Sequence, residues 1–115
     1  MKIEEEKTPW GNFQTYVKNK KVTVKILQIN RRKRFSLQSH KGRAEFWEFL
    51  DNKARVIIGN VKHIANKGSR FFIKERQLHR IEAFDKPVKV LEISFGKFNE
   101  NDIIRFEDDF GRIKK

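Results

Sequence analysis

The chain is cut into short β-prone runs that no helical period can join. Residues 22–29 (VTVKILQI), 34–39, 44–50, 55–58, 61–65, 70–74 and 88–95 are rich in Val, Ile and Phe, and several alternate apolar with polar side chains. Turn residues separate them: Lys41-Gly42, Asp51-Asn52, Gly59-Asn60, Asn66-Lys67-Gly68 and Asp85-Lys86-Pro87. At such points φ turns positive or a ladder stops. The regular spacing predicts an all-β sandwich or barrel of about eight strands. Only residues 99–107 (NENDIIRFE) read as a short C-terminal helical segment, with Asn99 as cap and acids early. Residues 113–115 read as a frayed tail.

At 115 residues there is room for one domain, spanning residues 1–115. Eleven Phe and 37% hydrophobic residues supply a core, which argues against a disordered basic tail. The absence of Cys excludes disulfides, a thiol nucleophile and Cys-ligated zinc. Residues 1–7 are acidic rather than basic-then-apolar, and no eighteen apolar residues stand together, so the expectation is a cytoplasmic protein with no membrane partner. Twenty-seven Lys and Arg against 15 Asp and Glu give +12. From Lys18 to Arg34 there are eight basic residues and no acid. That run fits a solvated face, a polyanion surface, or a field that steers a phosphorylated ligand. At physiological salt the Debye length is about 8 Å, so distant lysines steer an anion but do not grip it.

Chemistry concentrates in SLQSHKGRAEFW. Gln38 and His40 are two apart, so on a strand they share a face. A turn at Lys41-Gly42 would bring Glu45 beside them on the next strand. A fourth group must come from elsewhere, and His79, in the strand-like RQLHRIEA, is the best candidate. Together they form a nitrogen and oxygen site for a divalent cation: zinc first, with iron, manganese, nickel or cobalt as alternatives. A lone histidine in a small barrel is more often a hydrogen-bonded structural residue. His63, in VKHIA, has no partner at ligand spacing and reads as structural.

In order, PWGNFQTY, SLQSHKGRAEFW, FIKERQLHRIE and NENDIIRFEDDFGR resemble the C-terminal cupin domain of type II mannose-6-phosphate isomerases, which is usually fused behind a mannose-1-phosphate guanylyltransferase. The resemblance runs from Pro9 to Arg112. It implies a double-stranded β-helix, or jelly roll, with metal ligands at Gln38, His40, Glu45 and His79, and it makes a homodimer the expected state. It further implies pocket roles for Lys25, Arg43, Trp47, Arg80 and Arg112: Lys25, Arg43 and Arg112 in catalysis, and Arg43, Trp47, Arg80 and Arg112 on the substrate. Parity agrees in part, since Arg43, Glu45 and Trp47 share one strand face. An inward arginine needs an anion, either a sugar phosphate or a structural carboxylate such as Asp108 or Asp109. Three departures stand out. Phe46 replaces the His of the family's RAEHW, Arg31-Arg32 replace a Pro-Gly turn, and Lys74 and Arg76 stand where Pro and Gly precede His79.

The implied reaction is the interconversion of mannose 6-phosphate and fructose 6-phosphate. A proton moves between C2 and C1 through an enediol, with Lys25, Glu48, Glu92 or an ion-activated hydroxide as base. A second reading keeps the fold but places another phosphorylated or nucleotide-linked sugar in it, with or without turnover. A third is a nucleic-acid-binding barrel that uses the Lys18 to Arg34 run with Phe71, Phe72 or Trp10 as stacking surfaces. No RNA-binding motif accompanies that run, so it ranks behind the sugar readings.

Overall fold

The computed structural model describes residues 1–113. Lys114 and Lys115, part of the expected frayed tail, lie outside the described residues. Eleven strands run in chain order: β1 (Glu4–Thr8), β2 (Gly11–Thr15), β3 (Val22–Ile29), β4 (Leu37–Ser39), β5 (Arg43–Phe49), β6 (Ala54–Ile58), β7 (Val61–Ala65), β8 (Arg70–Ile73), β9 (His79–Ala83), β10 (Val88–Gly96) and β11 (Ile104–Glu107). All pairings are antiparallel. A four-stranded sheet, β3-β10-β5-β8, faces a five-stranded sheet, β11-β4-β9-β6-β7, while β1 and β2 form a separate hairpin. The architecture is the all-β jelly roll. Among the described residues no helix is long and apolar enough to cross a membrane.

The expected helix over 99–107 is not there. Residues 100 and 101 form a turn, and β11 follows it. Asn99 caps that turn instead: its side-chain oxygen accepts from the Asn101 N–H at 2.9 Å and its carbonyl from the Asp102 N–H at 3.0 Å. The run expected over 34–39 shortens to β4, preceded by a single bridge from Arg34 to Glu82.

The interior has two ends. At one end Ile29, Trp47, Phe49, Ala54, Val56, Ile81, Ala83, Val88 and Val90 form an apolar core. At the other, inward positions of the same strands turn polar. Residues directly opposite on paired strands share a face, and the register Thr23–Ser94–Glu45 and Lys25–Glu92–Trp47 lays two polar rows across β3, β10 and β5. Gln38 pairs with His79 on the facing sheet. Trp47 marks the boundary: fully buried, it packs its ring edge-on to His79 and donates its indole N–H to Glu92 at 3.2 Å.

Candidate metal centre

His40, Glu45 and His79 converge at the polar end, each no more than 3% exposed, with one ligand atom apiece within 4.8 Å of the others. His40 follows β4, Glu45 lies two residues into β5 and His79 opens β9, so the Lys41-Gly42 turn does bring the first two together. The Asp102 carboxylate fixes that turn by accepting from the Lys41 and Gly42 N–H groups at 2.9 and 2.8 Å.

Both imidazoles have their tautomer set. His40 Nδ1 lies 2.6 Å from the Asp102 carbonyl and His79 Nδ1 lies 2.9 Å from the Gln77 carbonyl. A carbonyl only accepts, so each Nδ1 carries a proton and each Nε2 is the atom turned to the cluster. Glu45 Oε1 lies 3.2 Å from His79 Nε2 and 3.6 Å from His40 Nε2. Yet His79 Nε2 and Glu45 Oε1 are buried with no hydrogen-bond partner. Both atoms point into the cluster, 3.2 Å apart, at the place a shared ion would occupy. Metal bonds of about 2.0–2.2 Å at tetrahedral or octahedral angles require ligand separations of about 3–3.5 Å, so this donor set fits a divalent cation.

Gln38 stands at the edge of the cluster. Its Nε2 is 3.3 Å from His40 Nε2, and its Oε1 accepts from the Ser36 hydroxyl at 2.6 Å. Rotating the amide by 180° exchanges these atoms and turns the oxygen to the cluster, with Ser36 then accepting.

Burial raises the carboxyls of both Glu45 and Glu92. For Glu45 the imidazoles of His79 and His40 and a hydrogen bond from Glu92 more than reverse it, holding the group ionised. For Glu92 burial comes first and the Glu45 charge adds to it, while the Trp47 N–H and Lys25 offset only part, so Glu92 stays protonated near neutrality. Burial also lowers His40, against the opposing pull of the Asp102 carbonyl and Glu45.

The remaining expected residues divide. Arg43 reaches the cluster: its Nη2 is 3.3 Å from His40 Nε2, its Nη1 donates to the Asn99 carbonyl at 3.1 Å, and its Nε is 3.8 Å from Glu45 Oε2. Its carboxylate partner is therefore Glu45. Asp108 pairs with Arg112 and Asp109 with Arg34. Lys25 lies on the inner face of β3, with its ammonium 3.2 Å from Glu100 and over the Phe98 ring, whose centroid also lies 4.5 Å from the Arg43 guanidinium. Trp47 forms the floor of the site.

Arg80, expected on the substrate, points the other way. It follows His79 on β9, so strand parity sends it to the outer face, where it donates to the Phe35 and Glu107 carbonyls and pairs with the Glu107 carboxylate. Arg112, expected in catalysis and on the substrate, is tied to Asp108 through its own N–H and its guanidinium and lines a cavity with Arg105 and Glu100. Glu48 also faces outward, held by the Tyr16 hydroxyl and Arg70. His63 packs against the Phe71 ring. Phe46 is buried under Tyr16 on that same outer side.

Sequence reading did not find Asp102, Gln77 or Ser36, which orient the ligands. Two of the three act through backbone carbonyls, for which side-chain identity gives no signal.

The family described as mannose-6-phosphate isomerase C-terminal matches residues 2–108. Over 107 residues the chain is 29% identical to the mannose-1-phosphate guanylyltransferase ManC of Salmonella typhimurium, covering 91% of this chain and 22% of that protein. A mannose-1-phosphate guanylyltransferase of Klebsiella pneumoniae is 31% identical over 106 residues, covering 90% and 22%. The chain thus spans under a quarter of these relatives. A cupin protein of Bacteroides fragilis superposes with a TM-score of 0.61 at 22% identity, over 70% of this chain and 75% of that one, a likeness of fold.

Proposed function

The chain belongs to the mannose-6-phosphate isomerase C-terminal family, and from that premise we propose that it interconverts mannose 6-phosphate and fructose 6-phosphate. The carrying observation is the pair of unpartnered buried atoms, His79 Nε2 and Glu45 Oε1, facing one point with His40 Nε2. His40, Glu45 and His79 would hold the ion, with the Gln38 amide oxygen as fourth ligand. Two imidazoles and two oxygens suit zinc. The ion would polarise the sugar oxygens on C1 and C2.

The protein's own groups divide the remaining work. Glu92 lies one row from Glu45 on the inner face of β10 and is the buried acid best placed to carry the proton between C2 and C1. In that role it must give up its own proton first, and Lys25, opposite it on β3, favours that ionisation. The Trp47 N–H orients its carboxyl. Arg43 donates to the substrate oxygens once drawn away from His40. We place the protein in the cytoplasm with its phosphorylated sugar, as a homodimer.

Elemental analysis of purified protein should find one divalent ion per chain, and chelation should abolish isomerase turnover. His79→Ala should lose both ion and activity, and Gln38→Ala should weaken ion binding. Full turnover by ion-free protein would sink the reading. The second reading, a cupin that binds a sugar phosphate without turning it over, draws on the contact of Arg43 with His40 and the Phe98 ring beneath Arg43. It predicts ion and ligand binding with no product.

A further inference from the structure

We infer that Arg105 is the group that grips the phosphate of the substrate, a deepening that rests on the sugar-phosphate reading above. A helical reading of residues 99–107 conceals this residue, and the strand register reveals it. Arg105 pairs with Gln38 across β11 and β4, and Gln38 pairs with His79 across β4 and β9. Directly opposed residues in antiparallel strands point to the same side of the sheet, so Arg105, Gln38 and His79 form one inward row, with Arg105 at the open edge. Its neighbours agree: Ile104, paired with Ser39, is 43% exposed on the outer side.

Charge pairing separates Arg105 from the other arginines near the site. Arg43 has Glu45, Arg80 has Glu107, Arg112 has Asp108 and Arg34 has Asp109. Among the described residues no carboxylate pairs with Arg105, and its Nε is shielded from solvent with no hydrogen-bond partner. A partly buried guanidinium without a counter-charge is costly, and an incoming anion relieves that cost. At the open edge of the sheet Arg105 lines a cavity of about 260 Å³ with Ile103, Ile104, Arg112, Asn101 and Glu100. Glu100, the opposing charge in that cavity, is engaged with Lys25.

The spacing suits a six-carbon phosphate. Neighbouring strands are about 4.8 Å apart, which puts the Arg105 and His79 backbones about 10 Å apart with Gln38 between them. From C2 to the phosphorus of a 6-phosphate are six bonds, about 7 Å at roughly 1.2 Å of extension each. A sugar with C1 and C2 at the ligand cluster therefore reaches the Arg105 side chain with its phosphate, where the guanidinium fork can bind two oxygens.

Calorimetric titration of the full chain with mannose 6-phosphate, mannose and inorganic phosphate tests this. Arg105→Met should weaken mannose 6-phosphate and phosphate binding at least tenfold, leave mannose binding unchanged and leave the ion content unchanged. Arg105→Lys, which keeps charge and bulk, should lose severalfold and covers the case in which the Met variant fails to fold. Lys62→Gln, removing one exposed charge on β7, should change phosphate affinity less than twofold. Equal mannose 6-phosphate affinity in wild type and Arg105→Met overturns the assignment, as does parallel loss of mannose binding or an equal effect of Lys62→Gln. Phosphate binding that depends on Arg105 in a protein without turnover would leave this subsite standing and remove the isomerase reading instead.

Discussion

Phe46 shows how one residue's meaning depends on which face it occupies. It stands where the family has a histidine, yet it alternates with Glu45 and is buried on the outer side of β5 against Tyr16. A histidine at that position cannot reach the ion site from there. Phe46→His should therefore leave the isomerase rate within twofold and cost about 2 kcal/mol by placing a polar ring in an apolar contact, as denaturant titration would read. Glu92 supplies a pH signature. Its folded pKa is raised from 4.5 to about 8, so its contribution to stability is full below 4.5 and drains as pH rises through about 8. His40 runs oppositely: lowered from 6.5 by burial, it destabilises the fold as pH falls below 6.5. Just below 6.5 the two slopes oppose each other, and above 6.5 Glu92 acts alone. Ion-free protein should lose roughly 1.4 kcal/mol per pH unit from 6.5 toward 8, and Glu92→Gln should flatten the curve in thermal melts. Parity in the sequence was enough to put Gln38 with His40 and Arg43 with Glu45. It also held the signal that Arg80 turns outward once His79 turns inward. Joining His79 to the others takes a pairing across 41 positions (79 minus 38), which no local pattern encodes; its strand-like context and the family resemblance are what single it out.

Strands buried on at least one side were legible as elements because burial imposes a two-residue period; those lacking it were not. β1 and β2 are exposed along nearly their whole length, so they carry no alternation to read. β11 reads as helix in the sequence because Asn99 and its acidic neighbours resemble a cap, whereas in the fold Asp102 caps the Lys41-Gly42 turn. The replaced turn residues have a conformational consequence. Arg32 and Arg76, each standing in a segment where the family has Pro and Gly, both adopt positive φ, 58° and 64°. Left-handed backbone costs a residue with a side chain about 1–2 kcal/mol, while glycine loses about 0.5–1 kcal/mol more chain entropy on folding. Arg32→Gly and Arg76→Gly should each stabilise the protein by about 0.5–1 kcal/mol, raising Tm by roughly 2–5 °C. The Arg76 variant carries a second readout, because its N–H donates to the His40 carbonyl: ion affinity should be retained or tightened. A lower Tm in both variants would show that the arginine side chains, not the backbone, hold these turns.

At the scale of the whole molecule the N-terminal hairpin is the unbalanced part. Two strands alone are marginal in water, and this pair carries a stacked Trp10 and Phe13 that remain 73% and 41% exposed. The outer face of the four-stranded sheet has the matching deficit. Val24 and Ile26 are each 57% exposed on its edge strand β3, and an uncovered edge invites pairing. Charge favours a second copy as the cover: Glu4, Glu5 and Glu6 make β1 acidic, while Lys18, Lys20 and Lys21 lead into β3. Because one chain carries both halves, a two-fold exchange satisfies both at once. Each hairpin would lie on the partner copy's β3, with acidic strand against basic approach and aromatics against Val24 and Ile26. A stable pair of this kind covers about 800 Å² per copy. Sedimentation equilibrium at micromolar concentration should give twice the chain mass for the wild type. The double variant Val24→Lys, Ile26→Lys should give a monomer with unchanged ion content, because both side chains point away from the ligands. Trp10→Ser should weaken the dimer, and higher salt should weaken it further by screening the acidic and basic strands. A wild type that sediments as a monomer at 100-fold higher concentration would leave the hairpin without a partner in this chain and remove the dimer.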